Sequence, residues 1–298
     1  HYKRIQRFFR GFQLDFSLFA RMVAAFMPLD EKWVLCLDRT HWKFGQLHIN
    51  FLVLGVAYKG VCIPLFWTCQ SKAGNSNTRE RLDLICRFVR TFGVEKIDFL
   101  SADREFIGRD WVLCLRFFKI PFRIRVRKNT KVFSERSHQE MELYKLFRGN
   151  RLHQTVVLRQ KKLLWGLRLH VIGLRTSDDY VLLITDHAPR QAMEDYKRRW
   201  EIETLFGCLK SRGFDFEETH ASEPERMEKL LALLTLALCW CILLGEILVV
   251  QKKIPTKKHG RLAKSIFRKG LEELSNILAN ISLKFEAYKN AVHLLSCT

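Results

Sequence analysis

Two short apolar runs that each finish on an aspartate, KWVLCLD at 32–38 and KIDFLSAD at 96–103, constrain this chain more than any other feature. Runs of this length, bounded by polar residues, read as buried strands. The first is followed by HINFLVLGVAYKGVCIPLFWTC at 48–69, two apolar stretches joined by Tyr58-Lys59-Gly60, a hairpin signal. Three adjacent antiparallel strands are expected, the first of them short and ending at Asp38. A polar loop then leads into a helix that starts at Asn77 as N-cap and stops at Gly93. FIGRDWVLCLRFF at 106–118 reads as helix and PFRIRVR at 121–127 as strand. Strands that alternate with helices point to an α/β domain. In an open sheet, ligands collect at the carboxyl ends of the strands, where both aspartates stand.

A third acid lies in YKRRWEIETLFGCLK, residues 196–210. A helix turns by ~100° per residue, so Tyr196, Arg199, Glu203 and Lys210 fall within roughly 60° of one another. The opposite side carries Trp200, Leu205 and Leu209, an apolar stripe that the core would cover. This segment is expected to be one long helix from about Pro189 to Arg212. Three carboxylates on one sheet edge would repel one another without a cation between them. Hard oxygen donors suit Mg²⁺ or Mn²⁺, and a pair of such ions serves phosphoryl transfer. Taken singly, each of these residues also has an ordinary reading as a turn cap, a solvated helix charge or a basic face. Their combination and order raise them above that.

The net charge of +20, from 51 basic and 31 acidic residues, calls for a polyanionic partner. Nucleic acid is the leading candidate, ahead of an anionic membrane surface. Residues 128–180 hold short alternating runs and read as a small β-rich insertion. Residues 121–170 carry 13 basic residues against 3 acids, a net of +10. Residues 1–31 read as helix. The first residue is His, in keeping with a fragment that has lost an N-terminal piece. LLALLTLALCWCILL at 230–244 is shorter than the ~20 residues that span a bilayer, so it reads as a helix buried in the core. The nine cysteines form no C-x-x-C pair and read as reduced, buried thiols; their spacing supports no zinc site.

The motifs resemble those of the DDE transposases of bacterial insertion sequences. The subgroup most similar carries the signature Y-(2)-R-(3)-E-(6)-K, the insertion-sequence family four type. Tyr196, Arg199, Glu203 and Lys210 match that spacing in full. LDRT, with Asp38 and Thr40, is similar to the first acidic motif, and ADREFIG, with Asp103, Arg104 and Glu105, to the second. The similarity covers about residues 30–250. It implies a ribonuclease-H-like mixed sheet flanked by helices, with the β-rich insertion before the last catalytic helix and a helical C-terminal region. The domain plan is then an N-terminal helical remnant (1–31), a catalytic domain in two parts (32–127 and 181–250), the basic insertion (128–180) and a basic helical end (251–298). It implies cut-and-paste transposition of double-stranded DNA, with Asp38, Asp103 and Glu203 holding two Mg²⁺ or Mn²⁺ ions. Tyr196, Arg199 and Lys210 would contact the transposon end, with Arg104 beside them. It implies a cytoplasmic homodimer that pairs two DNA ends, with no membrane partner.

In some members of the family the resemblance implies a DNA hairpin on the route, which bends the strand sharply and extrudes a base that needs an aromatic to stack on. Trp165, in the basic insertion, is the candidate, against a plain sheet-surface or core role. Trp200 is expected in the core. The segment 251–270, with eight basic residues and no acid, offers either non-specific phosphate contacts or a solvated face. Two other readings keep the fold. One is a metal-dependent nuclease that cuts without joining. The other is a transposase-derived DNA-binding protein without catalysis.

Overall fold

A computed structural model describes residues 2–70, 74, 76–134, 138–258 and 262–296. Parts of the loop after residue 70, residues 259–261 of the basic segment, and Cys297 lie outside the described residues. The chain opens with α1 (Tyr2–Gly11) and α2 (Phe16–Phe26), where a single helix was expected. The break falls at Asp15, whose carboxylate accepts from the backbone N–H of Ser17 and Leu18 at 2.8 and 3.0 Å and so starts a new helix.

Three strands follow: β1 (Trp33–Phe44), β2 (Leu47–Tyr58) and β3 (Val61–Gln70). They pair antiparallel in sequence, as expected. The β2–β3 turn is Lys59-Gly60, both with positive φ (45° and 93°), which suits the twist of a two-residue hairpin. From Ile49 to Tyr58, β2 is buried without interruption, so both faces of the sheet are covered. Next come α3 (Thr78–Phe92), β4 (Ile97–Ala102), α4 (Arg109–Phe117) and β5 (Phe122–Val126). Asn77 and Glu80 form a reciprocal capping box at the start of α3, and Gly93 ends it at φ 84°.

The insertion supplies β6 (Lys131–Ser134), β7 (Gln139–Glu142), β8 (Thr155–Val157), β9 (Lys162–Leu164) and β10 (Leu167–Arg175), before β11 (Tyr180–Thr185). The main path of the sheet is β3-β2-β1-β4-β5-β11-β10-β9-β6-β7, with β8 on the side of β10. β1–β4 and β4–β5 are parallel; the other ladders are antiparallel. This mixed sheet flanked by helices is the ribonuclease-H-like α/β architecture. The insertion prolongs it through β10, which pairs with β11 on one side and with β8 and β9 on the other.

The chain closes with α5 (Ala192–Tyr196), α6 (Trp200–Leu209), α7 (Pro224–Gln251), α8 (Ile266–Ala279) and α9 (Phe285–His293). By length and composition α7 could cross a membrane. It packs on β3 and α8 and buries Leu231, Thr235, Leu238, Cys239 and Ile242. Its crossing with α8 needs a glycine. A Cβ on Gly270 would overlap the Cys241 carbonyl oxygen, so the helix backbones nearly touch. Gly270→Val is expected to push them apart, at a cost of roughly 2–3 kcal/mol. The expected result is a fall in the thermal midpoint of several degrees; an unchanged midpoint would show that the crossing adapts freely.

Candidate active site

Asp38 does not end its strand, contrary to the expectation. β1 continues for six residues because its antiparallel pairing with β2 runs on to Phe44. What ends is the parallel ladder with β4, whose last pair is Leu37 with Ala102. Asp38 on β1 and Asp103, the residue just after β4, therefore come next on the two chains where that ladder stops. Glu105 follows in the same loop and takes two bonds from the Arg39 guanidinium, at 3.2 and 3.1 Å. Arg81, buried on α3, fixes the loop from below. It donates to the carbonyls of Ser76 and Glu105 at 2.5 and 3.1 Å, and its guanidinium lies 5.1 Å from the Phe106 ring centroid.

The third acid arrives on a broken helix. The expected single helix over 189–212 is instead α5, a tight 3₁₀ turn at Lys197–Arg199, and α6. In a 3₁₀ turn, residues three apart eclipse, so Tyr196 and Arg199 stack, with the guanidinium 5.6 Å from the tyrosine ring. The Tyr196 hydroxyl donates to Asp103 at 3.1 Å. Arg199, only 4% exposed, donates to Asp38 at 3.1 Å and to Glu203 at 2.6 Å. One guanidinium thus ties the β1 acid to the α6 acid, while the phenol one helical step earlier holds the β4 acid. α5 is itself locked to the sheet by Arg123, buried on β5, which donates to Asp195 at 2.9 Å and to Thr185 at 2.9 Å.

Burial pushes Asp38 up to about 7, and the negative charges of Glu105 and Asp103 push the same way. The backbone N–H of Arg39 and the charge of Arg199 hold it down, but not enough. Burial also raises Tyr196, so its phenol stays protonated and remains a donor. For Arg199, burial alone would lower the pKa; the carboxylates of Glu203, Asp103 and Asp38 work against it and hold the charge on. Among the described residues, no three His, Cys, Asp or Glu side chains are grouped closely enough to hold a metal as they stand. The position between Asp38 and Glu203 belongs to the guanidinium.

Lys210 caps the C-terminal end of α6, its N–H still bonded to the Phe206 carbonyl at 3.0 Å. Its ammonium bonds to the His41 carbonyl at 3.2 Å, pairs with Glu217 and lies 5.3 Å from the Trp42 ring centroid, on the far half of β1. Trp200 is not core: it is 61% exposed, with the Arg199 guanidinium 5.3 Å from its ring centroid. The helix break at 197–199 alters its direction, and the Trp200 indole faces water. Trp165 sits in the two-residue β9–β10 turn at φ 50°, half-buried and packed on the hydrophobic core. Arg104 is exposed and lines a basic hollow beside the acids.

Arg39 and Glu105 stand inside the two acidic motifs, yet nothing in those motifs indicates that they pair with each other. Arg81 and the Arg123–Asp195 lock left no signal either, since a buried arginine and an exposed one look alike in sequence. Eight cysteines are unpaired among the described residues.

A family model described as "Transposase DDE domain" matches residues 30–240, a span that holds all three acids and the Tyr196–Lys210 segment. A search of curated proteins finds no match.

Proposed function

Because the chain belongs to the transposase DDE domain family, whose members act on DNA, we propose that it cuts transposon ends and joins them to target DNA by a cut-and-paste route. The observation that carries this reading is the meeting of Asp38, Asp103 and Glu203 through Arg199 and Tyr196. Arg199 bridges the acid on β1 and the acid on α6, and Tyr196 bonds the acid just after β4, so two signature residues link all three acids. The subgroup assignment rests on the spacing of Tyr196, Arg199, Glu203 and Lys210.

The donor set suits a hard divalent ion. Burial drives Asp38 to about 7 although an arginine lies 3.1 Å away, so a further cation would favour its ionised form. In our reading Asp38, Asp103 and Glu203 hold one or two Mg²⁺ or Mn²⁺ ions, which when bound supply an activated water and charge stabilisation for phosphoryl transfer. Arg199 neutralises Asp38 and Glu203 until the ions and DNA arrive, and its planar fork then suits a phosphate. Tyr196 orients Asp103 by its hydroxyl. Trp200, open to solvent beside Arg199, offers a face on which an unpaired base can stack; we favour it over Trp165 for that role. The basic insertion and Lys210 contact the duplex further out. The working form is a cytoplasmic homodimer on two DNA ends.

Incubating the protein with Mg²⁺ and labelled DNA that carries the element's ends tests the reading. Cut and joined products are expected. Cut products that never join would reduce the protein to a nuclease, and metal-free, salt-sensitive binding with no cleavage would reduce it to a DNA-binding relic. The role of Arg199 has its own check. Arg199→Gln removes the competing cation, so DNA-free protein should bind Mn²⁺ about tenfold more tightly or better, since a charge this close is worth at least ~1.4 kcal/mol. Free Mn²⁺ measured by electron paramagnetic resonance reads this directly; equal affinities in the two proteins would remove the competition.

A further inference from the structure

β5 carries arginines at every second position, Arg123, Arg125 and, just beyond its end, Arg127. Side chains two apart on a strand share a face, so the three form a row. Arg123 is spent on Asp195. The other two lead away from it into a hollow of about 320 Å³, where Arg104, Lys128, Asp179 and Tyr180 join them. The hollow and the acids share the loop after β4, through Asp103 and Arg104.

The hollow holds four cations and one acid. Asp179 pairs with Lys128 at 3.5 Å, and the bond from the Tyr180 N–H, that pairing and the nearby Arg125 leave its pKa lowered. Arg104, Arg125 and Arg127 have no ion-pair partner among the described residues. The Nε of Arg125 is buried and bonded to nothing. Buried donors are nearly always satisfied, so this one has a bond to offer to a water or an anion that enters the cavity. Four cations around one hollow repel one another, and an anion relieves that.

We propose that Arg104, Arg125, Arg127 and Lys128 form a phosphate subsite for the DNA strand that runs past Asp103. The inference rests on the proposed action on DNA and assigns it a second anchoring point, separate from Arg199 and Lys210. Arg127 and Lys128 make the outer contacts, Arg104 and Arg125 the inner ones, and Asp179 holds Lys128 while the site awaits DNA.

The test is metal-free DNA binding by the full chain, measured in EDTA as fluorescence anisotropy of a labelled duplex over a range of salt. Each phosphate contact contributes about 0.9 to the slope of log affinity against log salt. Arg127→Gln and Lys128→Gln, both at exposed positions where folding is little affected, are expected to weaken binding several-fold and lower the slope by about 1 each. Asp179→Asn frees Lys128 and is expected to tighten binding. Lys96→Gln, at the opposite end of β4 from Asp103, serves as the control and should leave the slope alone. The proposal is overturned if Arg127→Gln and Lys128→Gln keep the wild-type slope, or if they lose no more than Lys96→Gln does. A wild-type protein that fails to cleave DNA while the two variants still lower the slope would refute the transposition chemistry and leave the subsite standing.

Discussion

Replacing any one of the three acids, by Asp38→Asn, Asp103→Asn or Glu203→Gln, is expected to lower DNA cleavage and joining by about 10³-fold or more while leaving DNA binding largely intact. The magnitude follows from what each carboxylate would hold. A metal ion supplies several kcal/mol of charge stabilisation to a phosphoryl-transfer transition state, and each 1.36 kcal/mol is a factor of ten in rate. The three variants should fail alike, because a site built by three acids loses its ion when one is gone. DNA binding is carried elsewhere, by the basic surface, so anisotropy should separate the two effects. A variant that still cuts at near the wild-type rate would remove its residue from the catalytic set. A variant that loses binding along with cleavage would point to misfolding.

The second large effect is on stability. An aspartate in the unfolded chain ionises near 4, while Asp38 in the folded, metal-free protein ionises at about 7. Between those values the folded protein keeps a proton that the unfolded chain has lost. Raising the pH therefore favours unfolding. The loss begins near pH 4, grows to about pH 7 and then levels off. With a gap of about 3 pH units at ~1.4 kcal/mol each, it reaches roughly 4 kcal/mol at full ionisation. Asp38→Asn cannot ionise and escapes it. In EDTA, urea midpoints for wild type and Asp38→Asn should move apart as the pH rises from 5 to 8, in favour of the variant by roughly 2–3 kcal/mol. Mg²⁺ added to the wild type should close the gap. A gap that stays constant with pH would mean that Asp38 is ionised throughout.

Much of the fold was legible because its signals are local. The Lys59-Gly60 hairpin, the Asn77 cap, the Gly93 stop and the apolar runs of β2 and β4 each depend on a few neighbouring residues. The site was half legible for the same reason. Asp38 and Asp103 could be placed at one sheet edge because two parallel strands in register also align the residues just beyond them. The end of β1 could not be read, since the strand is prolonged by pairing with β2 and not by its own composition: Arg39, Thr40 and His41 are polar. The helix break at Lys197–Arg199 was hidden behind residues that all favour a continuous helix. It comes from packing, where Arg123 holds Asp195 on one side of the break and Arg199 reaches Asp38 on the other. Trp200 was misassigned because it inherited the rotation of an unbroken helix.

That kink gives the two ends of the segment different tethers. Before it, Tyr196 is buried against the sheet and bonded to a β4-side acid; after it, Glu203 stands 38% exposed at the start of a separate rod. The rod beyond the kink is not loose: α6 buries Ile202, Leu205 and Leu209 and packs on β3 and β1. The kink therefore fixes its direction, and what remains free to adjust at Glu203 is the side chain, open to water on one side and held by Arg199 on the other.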